Sequence, residues 1–448
     1  MYVRKTLSAA VCSRHEIVLN VASSGIAALL LSGGRTSHSQ FHIPIYITED
    51  SMCSISADSD LAGLLRKTKL IIWDEAPMIN RHCFEAFERT LRDILRANDM
   101  NNANKLFGGI VIVFGGDFRQ ILPVMPRGGR QDIVNASINS SNLWKHCIVL
   151  KLTVNMRLSA GSSNVELEKT KEFAYWILRI GNGNVSEPND GEATMEIPKD
   201  ILLPEADDPL KSMIDTIYDQ LETSLSKARY FEEKAILAPT NEVVKKINDK
   251  VMEMLPGEEK VYLSSDSICK QDNPSNSNLD LYTPDFLNKV ELSGLPNHKL
   301  CLKVGVPVML LRNVDQTAGL CNGTRLLVRR LGKHVIEVSI ITGTNIGNVH
   351  FIPRMPLTSS DKRMPVKFQR RQFPVALCFA MTINKSQGQS LSKVGIYLEK
   401  PVFTHGQLYV ALSRVKSKDG IKIFIADNEG KRSRYTTNVV YKEVLQKV

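Results

Sequence analysis

Short apolar runs alternate with amphipathic stretches along the first part of the chain. The runs that predict buried strands are residues 17–22, 70–73, 110–114 and 148–152. The stretches that predict helices are residues 2–12, 25–31 and 80–97. Continuous apolar strands that alternate with helices are typical of a parallel sheet covered on both faces. The first part of the chain is therefore predicted to be an α/β unit.

The second part repeats this alternation around a stretch of a different kind. A segment rich in Gly, Asn, Pro and acids at 181–209 predicts a loop or linker. Beyond it, strands are predicted at 235–238, 374–378, 394–398 and 421–425, and helices at 241–254 and 405–412. Residues 300–351 instead show short strands separated by glycine-containing turns, which predicts a small all-β insertion. The expected fold class is α/β with two parallel-sheet units and this insertion.

The composition narrows the functional classes only slightly. With 448 residues, 43% of them hydrophobic and 23% charged, the chain is long enough for two or three domains and too apolar for wholesale disorder. A net charge of +10 weakly favours a polyanionic partner. No apolar run approaches the roughly 20 residues of a membrane helix, so no membrane partner is expected. The 8 cysteines lack zinc-ligand spacing and suggest reduced thiols.

Two adjacent acids, Asp74 and Glu75, follow the apolar run at 70–73. Ligands bind at the carboxyl ends of strands in open α/β sheets. In a nucleotide hydrolase, the first acid at this place would hold Mg²⁺ and the second would polarise the attacking water. The alternative is that the acids simply favour the start of the next helix. Taken alone, this segment leaves both interpretations open.

A second loop of this kind, the segment 115–124 (GGDFRQILPV), follows the run at 110–114. Gln120 would lie beside the same cleft, where it would sense a γ-phosphate. The alternative is a tight turn in which Asp117 caps a helix. Because two such loops at the strand tips of one sheet are less expected by chance than one, the pair favours a nucleotide site.

Together these segments resemble the motifs of Pif-family DNA helicases. The resemblance lies in VASSGIAALLLSGGRTSHSQF at 21–41, DEAPM at 74–78, GGDFRQILPV at 115–124, LTVNMR at 152–157, VMLLRNVDQTAGLCNGTRL at 308–326, AMTINKSQGQSL at 380–391 and HGQLYVALSRV at 405–415. The tail NVVYKEVL at 438–445 also resembles the ends of family members, especially those of the branch associated with Helitron transposons and plant genomes. The resemblance implies two RecA-like lobes, at 1–160 and at 161–283 plus 366–448, with a small β-barrel inserted at 284–365.

The resemblance also implies roles for individual residues. Those with a catalytic role would be Glu75, Gln120, Arg157 and Arg414. Those that bind ATP would be Asp74, which also holds Mg²⁺, Gln120, Gly388 and Gln389. Those that contact DNA would be Thr36, His38, Phe41, Lys385, Ser386 and His405, with an ordinary polar loop that holds one buried Phe as the alternative for the segment 36–41. Arg325, Arg370 and Arg371 are further backbone contacts or ordinary solvated charges.

The implied function is that of an ATP-dependent 5′-to-3′ DNA helicase in repair, recombination or telomere maintenance. Such a protein would act as a monomer on single-stranded DNA and duplex junctions. We expect it in the nucleus, with the mitochondrion as the alternative.

One required motif is missing, because no GxxxxGK[ST] segment occurs in the sequence. The segment 2–12 resembles the helix that follows this loop in the family. We therefore expect a chain that is cut short at its N-terminus and a first sheet with exposed strand edges. The competing hypothesis is a catalytically inactive remnant that binds single-stranded DNA, or a remnant that folds poorly.

Overall fold

A computed structural model describes residues 2–154, 164–185, 191–225, 227–269, 282–343, 345–359, 364, 366–427 and 429–448. The strands are β1 Ile17–Ala22, β2 Arg35–Thr36, β3 Thr68–Asp74, β4 Val111–Phe114, β5 Glu192–Glu196, β6 Lys234–Ala238, β7 Lys260–Leu263, β8 Ser265–Ile268, β9 Lys299–Leu302, β10 Pro307–Leu310, β11 Arg325–Leu331, β12 Val335–Ile340, β13 Val349–Pro353, β14 Met355–Thr358, β15 Phe368–Gln372, β16 Val375–Leu377, β17 Ala380–Thr382, β18 Lys393–Leu398, β19 Ile421–Ile425 and β20 Tyr435–Val439. The α-helices are α1 Tyr2–Cys12, α2 Gly25–Leu29, α3 Ser37–Phe41, α4 Asp60–Lys67, α5 Arg81–Arg96, α6 Arg130–Ala136, α7 Asn164–Gly181, α8 Pro209–Ile217, α9 Leu221–Ser224, α10 Ala228–Glu232, α11 Asn241–Met254, α12 Pro284–Lys289, α13 Gln407–Leu412 and α14 Lys442–Leu445.

The first lobe is built on a parallel sheet with the order β2-β1-β3-β4. Its apolar strands confirm the predictions at 17–22, 70–73 and 110–114. Helix α5 packs on the sheet because its apolar residues recur every three or four positions, and Phe84, Phe87 and Leu91 are fully buried. Trp73 on β3 and Phe41 lie against them and complete the core of this lobe.

The strand predicted at 148–152 does not form, so that prediction is wrong. The side chains of Ile148, Leu150 and Leu152 are 89%, 86% and 85% exposed. Strand β4 is the last strand of the sheet, and Val111 on it is 61% exposed. An apolar run becomes a buried strand only when a neighbour pairs with it, and among the described residues no strand adjoins the free edge of β4.

The second lobe is built on a parallel sheet with the order β17-β6-β18-β19. The strands predicted at 235–238, 394–398 and 421–425 lie in this sheet. The one predicted at 374–378 forms as β16 but pairs antiparallel with β10, so its expected place in the parallel sheet is wrong. The short strand β17 takes that place. Helices α8 and α11 pack against this sheet.

Antiparallel strands form the expected all-β insertion. They make a five-stranded sheet with the order β13-β12-β11-β10-β16, a three-stranded sheet with the order β14-β15-β8, and the pair β7-β9. These strands run from Lys260 to Leu377, so the all-β part begins before residue 284 and ends after residue 365.

The end of the chain crosses from the second lobe to the first. Arg130 of α6 donates two hydrogen bonds to the Glu443 carboxylate, at 3.0 and 2.9 Å. The buried Asn139 amide donates to the Val444 carbonyl at 2.7 Å, and the Trp144 indole donates to the Lys447 carbonyl at 3.0 Å. We call residues 441–448 the C-terminal strap. Among the described residues, no helix is both long and apolar enough to cross a membrane.

Candidate functional site

The two adjacent acids lie at the carboxyl end of β3, as the sequence predicts. The Asp74 side chain is buried, and its Oδ1 accepts a hydrogen bond of 2.7 Å from the Glu75 backbone N–H. Glu75 has a φ of +52°, a left-handed conformation that is strained for a residue with a side chain. Strained backbone of this kind is concentrated at functional sites.

Arg4 of α1 projects into the same place and forms a hydrogen-bonded ion pair with Asp74. Burial raises the pKa of Asp74, and the Arg4 charge offsets part of that effect. Sequence reasoning missed Arg4, because nothing in its local pattern separates it from a solvated arginine. The pairing depends on how α1 packs against the sheet, 70 residues away in sequence.

Glu75 has the most informative electrostatic environment of the cleft. Burial, followed by the negative charge of Asp74, raises its pKa to about 7. The positive charges of Arg4 and Arg414 act in the opposite direction. Arg414 belongs to the second lobe, and a hydrogen bond between Gln387 and Gln120 joins the two lobes beside the same cleft.

The turn 115–120 lies beside the acids and connects them to the second lobe. The Ala76 N–H donates to the Gly115 carbonyl at 2.9 Å, and the Gly115 N–H donates to the Trp73 carbonyl at 2.8 Å. The Gln120 Oε1 accepts a hydrogen bond of 3.2 Å from the Gln387 side chain across the cleft. The structure therefore brings Asp74, Glu75 and Gln120 to one edge of the first sheet.

Arg414 lies two residues beyond the end of α13, where the sequence predicted it. Arg414 is 8% exposed, and its guanidinium bonds to its own lobe, donating to the Val410 carbonyl at 2.9 Å and to the Gln389 carbonyl at 3.0 Å. Gln389 is also buried, and Gly388 has a φ of +77° at a sharp turn between the two lobes. Arg157 lies outside the described residues.

Three residues predicted to contact DNA are buried, so these predictions are wrong. Phe41 is fully buried and stacks on Phe87 with ring centroids 3.9 Å apart, which leaves no face for a base. Ser386 is fully buried, and its hydroxyl donates to the Ile383 carbonyl at 2.7 Å.

His405 is the third of these residues. Its Nδ1 accepts from the Tyr441 N–H at 2.8 Å, so its Nε2 carries the proton and donates to the Phe118 carbonyl at 2.7 Å. Burial lowers the pKa of this ring to about 4, which keeps it neutral. His405 therefore joins the first lobe to the C-terminal strap and does not face a DNA strand.

Two of the three candidate arginines are also buried rather than solvated. Arg370 is fully buried and forms an ion pair with Asp266, with Nη2–Oδ2 2.7 Å apart. Arg325 is fully buried and donates to the Lys234 carbonyl at 3.0 Å. Only Arg371 is exposed, so it alone of the three remains a candidate DNA contact.

The remaining candidates for DNA contact are half-buried. Thr36 precedes α3 and His38 lies on it. Burial lowers the pKa of both His38 and Lys385, so neither has the environment of a freely solvated cation. Their contact with DNA stays a prediction.

Two parallel α/β sheets face each other across a cleft, with adjacent acids on one lobe and an arginine on the other. This arrangement, with the β insertion in the second lobe, places the protein in the class of two-lobed RecA-like proteins. Residues 1–191 match the family model of the PIF1-like helicase, and residues 285–331 match that of the DNA helicase Pif1 2B domain. Residues 1–191, fewer than half of the chain, are therefore similar to the PIF1-like helicase family.

Named relatives show the same similarity. The ATP-dependent DNA helicase PIF1 of Danio rerio is 27% identical over 434 residues, which cover 94% of this chain and 56% of the relative. The human PIF1 is 27% identical over 91% of this chain and 54% of the relative. The ATP-dependent DNA helicase RRM3 of Saccharomyces cerevisiae is 25% identical over 96% and 61%. The chain thus spans little more than half the length of these relatives.

Solved structures agree on the fold. Pif1 helicase from a study of unwinding at forked double-stranded DNA is 25% identical, with a TM-score of 0.61, and the match covers 91% of this chain and 81% of that one. The Bacteroides Pif1 bound to single-stranded DNA is 24% identical, with a TM-score of 0.63, over 94% and 85% of the two chains. These matches confirm the RecA-like fold expected from the motifs.

Proposed function

We propose that this protein is an ATP-dependent DNA helicase that moves 5′ to 3′ along single-stranded DNA. The observation that carries the proposal is the joint position of Asp74, Glu75 and Gln120 opposite Arg414. In nucleotide hydrolases, acids at a strand tip and an arginine from a facing lobe surround the γ-phosphate. The family relatives named above are ATP-dependent DNA helicases.

Asp74 is the residue that would hold Mg²⁺. Magnesium in such sites is bound by one or two carboxylates together with phosphates and water, so a single buried carboxylate fits this ion. Among the described residues, no group of three or more acids, histidines or cysteines forms a self-sufficient metal site, which agrees with a cation that arrives with its nucleotide. The ion would neutralise phosphate charge, and Arg4 must leave Asp74 before it binds.

Glu75 is the residue that would accept a proton from the attacking water. A general base works best when its pKa lies near the working pH, and burial brings the pKa of Glu75 to about 7. Gln120 would orient the same water or sense the γ-phosphate from the neighbouring strand tip.

Arg414 would offset the charge that develops on the phosphate. In related hydrolases, such an arginine accelerates the reaction by about 10³–10⁵-fold. Because its guanidinium bonds to the Val410 and Gln389 carbonyls, it must leave these partners to reach a nucleotide. Turnover would thus include a movement of Arg414 toward Glu75 as the lobes close.

Single-stranded DNA would bind beside the half-buried Thr36, His38 and Lys385, with Arg371 as a further backbone contact. We propose that the protein acts as a monomer on single strands and duplex junctions, in DNA repair, recombination or telomere maintenance. The compartment that fits this role is the nucleus, with the mitochondrion as the alternative.

The test is ATP hydrolysis in the presence and absence of single-stranded DNA. We expect DNA to stimulate hydrolysis and Glu75→Gln to abolish it. A parallel arm carries a GxxxxGKS segment fused before Tyr2, since the sequence itself holds no such loop. The absence of DNA-stimulated hydrolysis in both arms would refute the helicase proposal.

A second function is favoured by one observation, namely the Arg4 side chain paired with Asp74. It is that of a protein that binds single-stranded DNA without turnover. Its affinity would fall with salt, because phosphate contacts release counterions. It would also be the same with and without ATP and unchanged by Glu75→Gln. Binding that requires ATP would exclude this function.

A further inference from the structure

The two lobes also meet through a contact that the motif comparison does not assign. Tyr409 on α13 donates a hydrogen bond of 2.7 Å from its hydroxyl to Asp117 Oδ2 in the turn 115–120. The other carboxylate oxygen of Asp117 accepts from the backbone and side chain of Arg119, at 3.0 and 2.8 Å. The Arg119 guanidinium lies 5.7 Å from the centroid of the Tyr409 ring.

The backbone of the two lobes is in direct contact at the same point. A Cβ atom on Gly406, which precedes α13, would lie 2.4 Å from the Arg119 carbonyl oxygen. Only glycine therefore allows α13 to begin so close to the turn. With one end of α13 already against the turn, the Tyr409 hydroxyl fixes the helix at a second point.

Each side of this contact carries part of the proposed catalytic site. The turn holds Gln120, and its Gly115 carbonyl accepts from the Ala76 N–H, next to Glu75. Helix α13 is followed by Arg414. A hydrogen bond between Tyr409 and Asp117 therefore joins the acids and the arginine through two short, rigid segments.

The Asp117 carboxylate is not so buried that it would need the Tyr409 hydroxyl as a hydrogen-bond partner. The Asp117 side chain is 22% exposed, so water can reach it and a hydroxyl partner is not required to satisfy it. Tyr409 is 8% exposed, and burial followed by the Asp117 charge raises the pKa of its hydroxyl. The hydroxyl therefore stays protonated and remains a donor.

The geometry points to Tyr409 as a positioning residue that, through Asp117, holds the start of α13 against the turn 115–120 while the lobes close and the Arg414 side chain moves toward Glu75. This inference rests on the proposed function and extends it. Tyr409 would set the place of Arg414 relative to Glu75 and Gln120 without touching the nucleotide. Without the Tyr409 hydroxyl, the lobes would still approach each other, but nucleotide binding would no longer change the affinity for single-stranded DNA.

The first experiment measures hydrogen exchange of the full chain by mass spectrometry, without nucleotide. In Tyr409→Phe, exchange in the turn 115–120 should rise about tenfold, as expected when one hydrogen bond to a charged group is lost. The control is Tyr218→Phe, which removes a buried hydroxyl that donates to the Phe379 carbonyl at 2.5 Å, away from the cleft. Unchanged exchange of the turn in Tyr409→Phe, or an equal rise in the control, would overturn the inference.

The second experiment separates positioning from a merely structural role. The ratio of the dissociation constants for an oligo-dT strand is measured with and without a non-hydrolysable ATP analogue and Mg²⁺. If the wild-type ratio differs from unity, Tyr409→Phe should bring it close to unity, whereas Tyr218→Phe should keep it. Retention of the ratio by Tyr409→Phe would overturn the coupling role. A wild-type ratio of unity would count against the proposed function. The hydrogen-exchange experiment alone would then test whether the Tyr409–Asp117 hydrogen bond holds the turn 115–120 in place.

Discussion

At the scale of single residues, the electrostatics of the cleft is set by a few charged side chains that burial has partly removed from water. Asp74 and Glu75 are adjacent carboxylates, and they share the cleft with the guanidinium groups of Arg4 and Arg414. Two neighbouring acids are tolerated in a buried place only when cations or raised pKa values compensate for their repulsion. The cleft uses both means.

Glu75 should make stability depend on pH in an unusual direction. Its pKa rises from 4.5 to about 7 on folding, so the folded state holds the proton more tightly than the unfolded state. The free energy of unfolding should therefore contain a contribution that falls as the pH rises through this window and is lost above it. Urea unfolding at about pH 5 and about pH 8 should show this contribution in the wild type and not in Glu75→Gln.

The control for this experiment is Glu205→Gln, which changes an exposed glutamate outside the cleft. It should retain the wild-type pH dependence. If Glu75→Gln and the wild type had the same dependence across this window, the assigned environment of Glu75 would be wrong.

Arg4 should compete with divalent cations for Asp74. Replacing Arg4 with Ala removes the cation paired with this carboxylate, and binding of Mn²⁺ without nucleotide should tighten about tenfold or more. The matched control is Lys5→Ala, which removes an exposed charge next to it in sequence. Equal Mn²⁺ affinity in Arg4→Ala and the wild type, measured by electron paramagnetic resonance, would show that Arg4 does not guard the site.

At the scale of elements, the pattern of apolar positions predicted the strands whose own sequence is a continuous apolar run. Strands β1, β3, β4, β6, β18 and β19 were found where continuous apolar runs predicted them. The run at 148–152 has the same pattern but no pairing partner among the described residues. The difference between β16 and β17 depends on which distant strand each one meets, which is not encoded in its own residues.

The same difference between local sequence pattern and long-range packing explains which site residues lie where the sequence predicted them. Asp74, Glu75, Gln120 and Arg414 were predicted because motifs at strand and helix ends fix where a side chain lies. The DNA contacts expected of Phe41, Ser386 and Arg370 rested on residue type or on the family resemblance, yet internal partners use their polar or aromatic groups. Whether a polar side chain faces solvent or an internal acceptor depends on packing, which the sequence pattern does not show.

The stability of the β insertion should depend on the buried ion pair between Arg370 and Asp266. Arg370 donates to Asp266 and to the Val290, Pro296 and Leu287 carbonyls, so this one side chain joins β15, β8 and α12. Arg370→Leu leaves the Asp266 charge buried and unpaired, which should lower the free energy of unfolding by about 3–5 kcal/mol.

The matched control for the ion pair is Arg371→Leu, which changes the neighbouring exposed arginine. It should shift the free energy of unfolding by no more than about 0.5 kcal/mol. Urea unfolding followed by tryptophan fluorescence compares the two variants. Similar losses in both would mean that the ion pair is not what stabilises the insertion.

At the scale of the whole molecule, two sets of polar contacts between described residues join the lobes. One is at the cleft, where Gln387 bonds to Gln120 and Tyr409 to Asp117. The other is the C-terminal strap, which lies on the first lobe. His405 connects the two sets, since its ring bonds to Phe118 on one side and Tyr441 on the other.

The strap should loosen when its buried anchor is removed. Asn139 is 5% exposed and donates to the Val444 carbonyl, so Asn139→Ala leaves that carbonyl without this donor. Brief trypsin digestion should then cleave at Lys442 and Lys447 faster than in the wild type. The exposed Asn135→Ala is the control, and equal cleavage rates in the two variants would contradict the role of the anchor.

The central claim is that the cleft between the lobes binds a nucleotide and transmits this to a DNA strand. The most direct measurement is the affinity for fluorescent oligo-dT by anisotropy, with and without Mg²⁺ and a non-hydrolysable ATP analogue. The account predicts that the nucleotide changes the dissociation constant severalfold and that Arg414→Ala removes this change. An affinity that is the same in all of these conditions would contradict it.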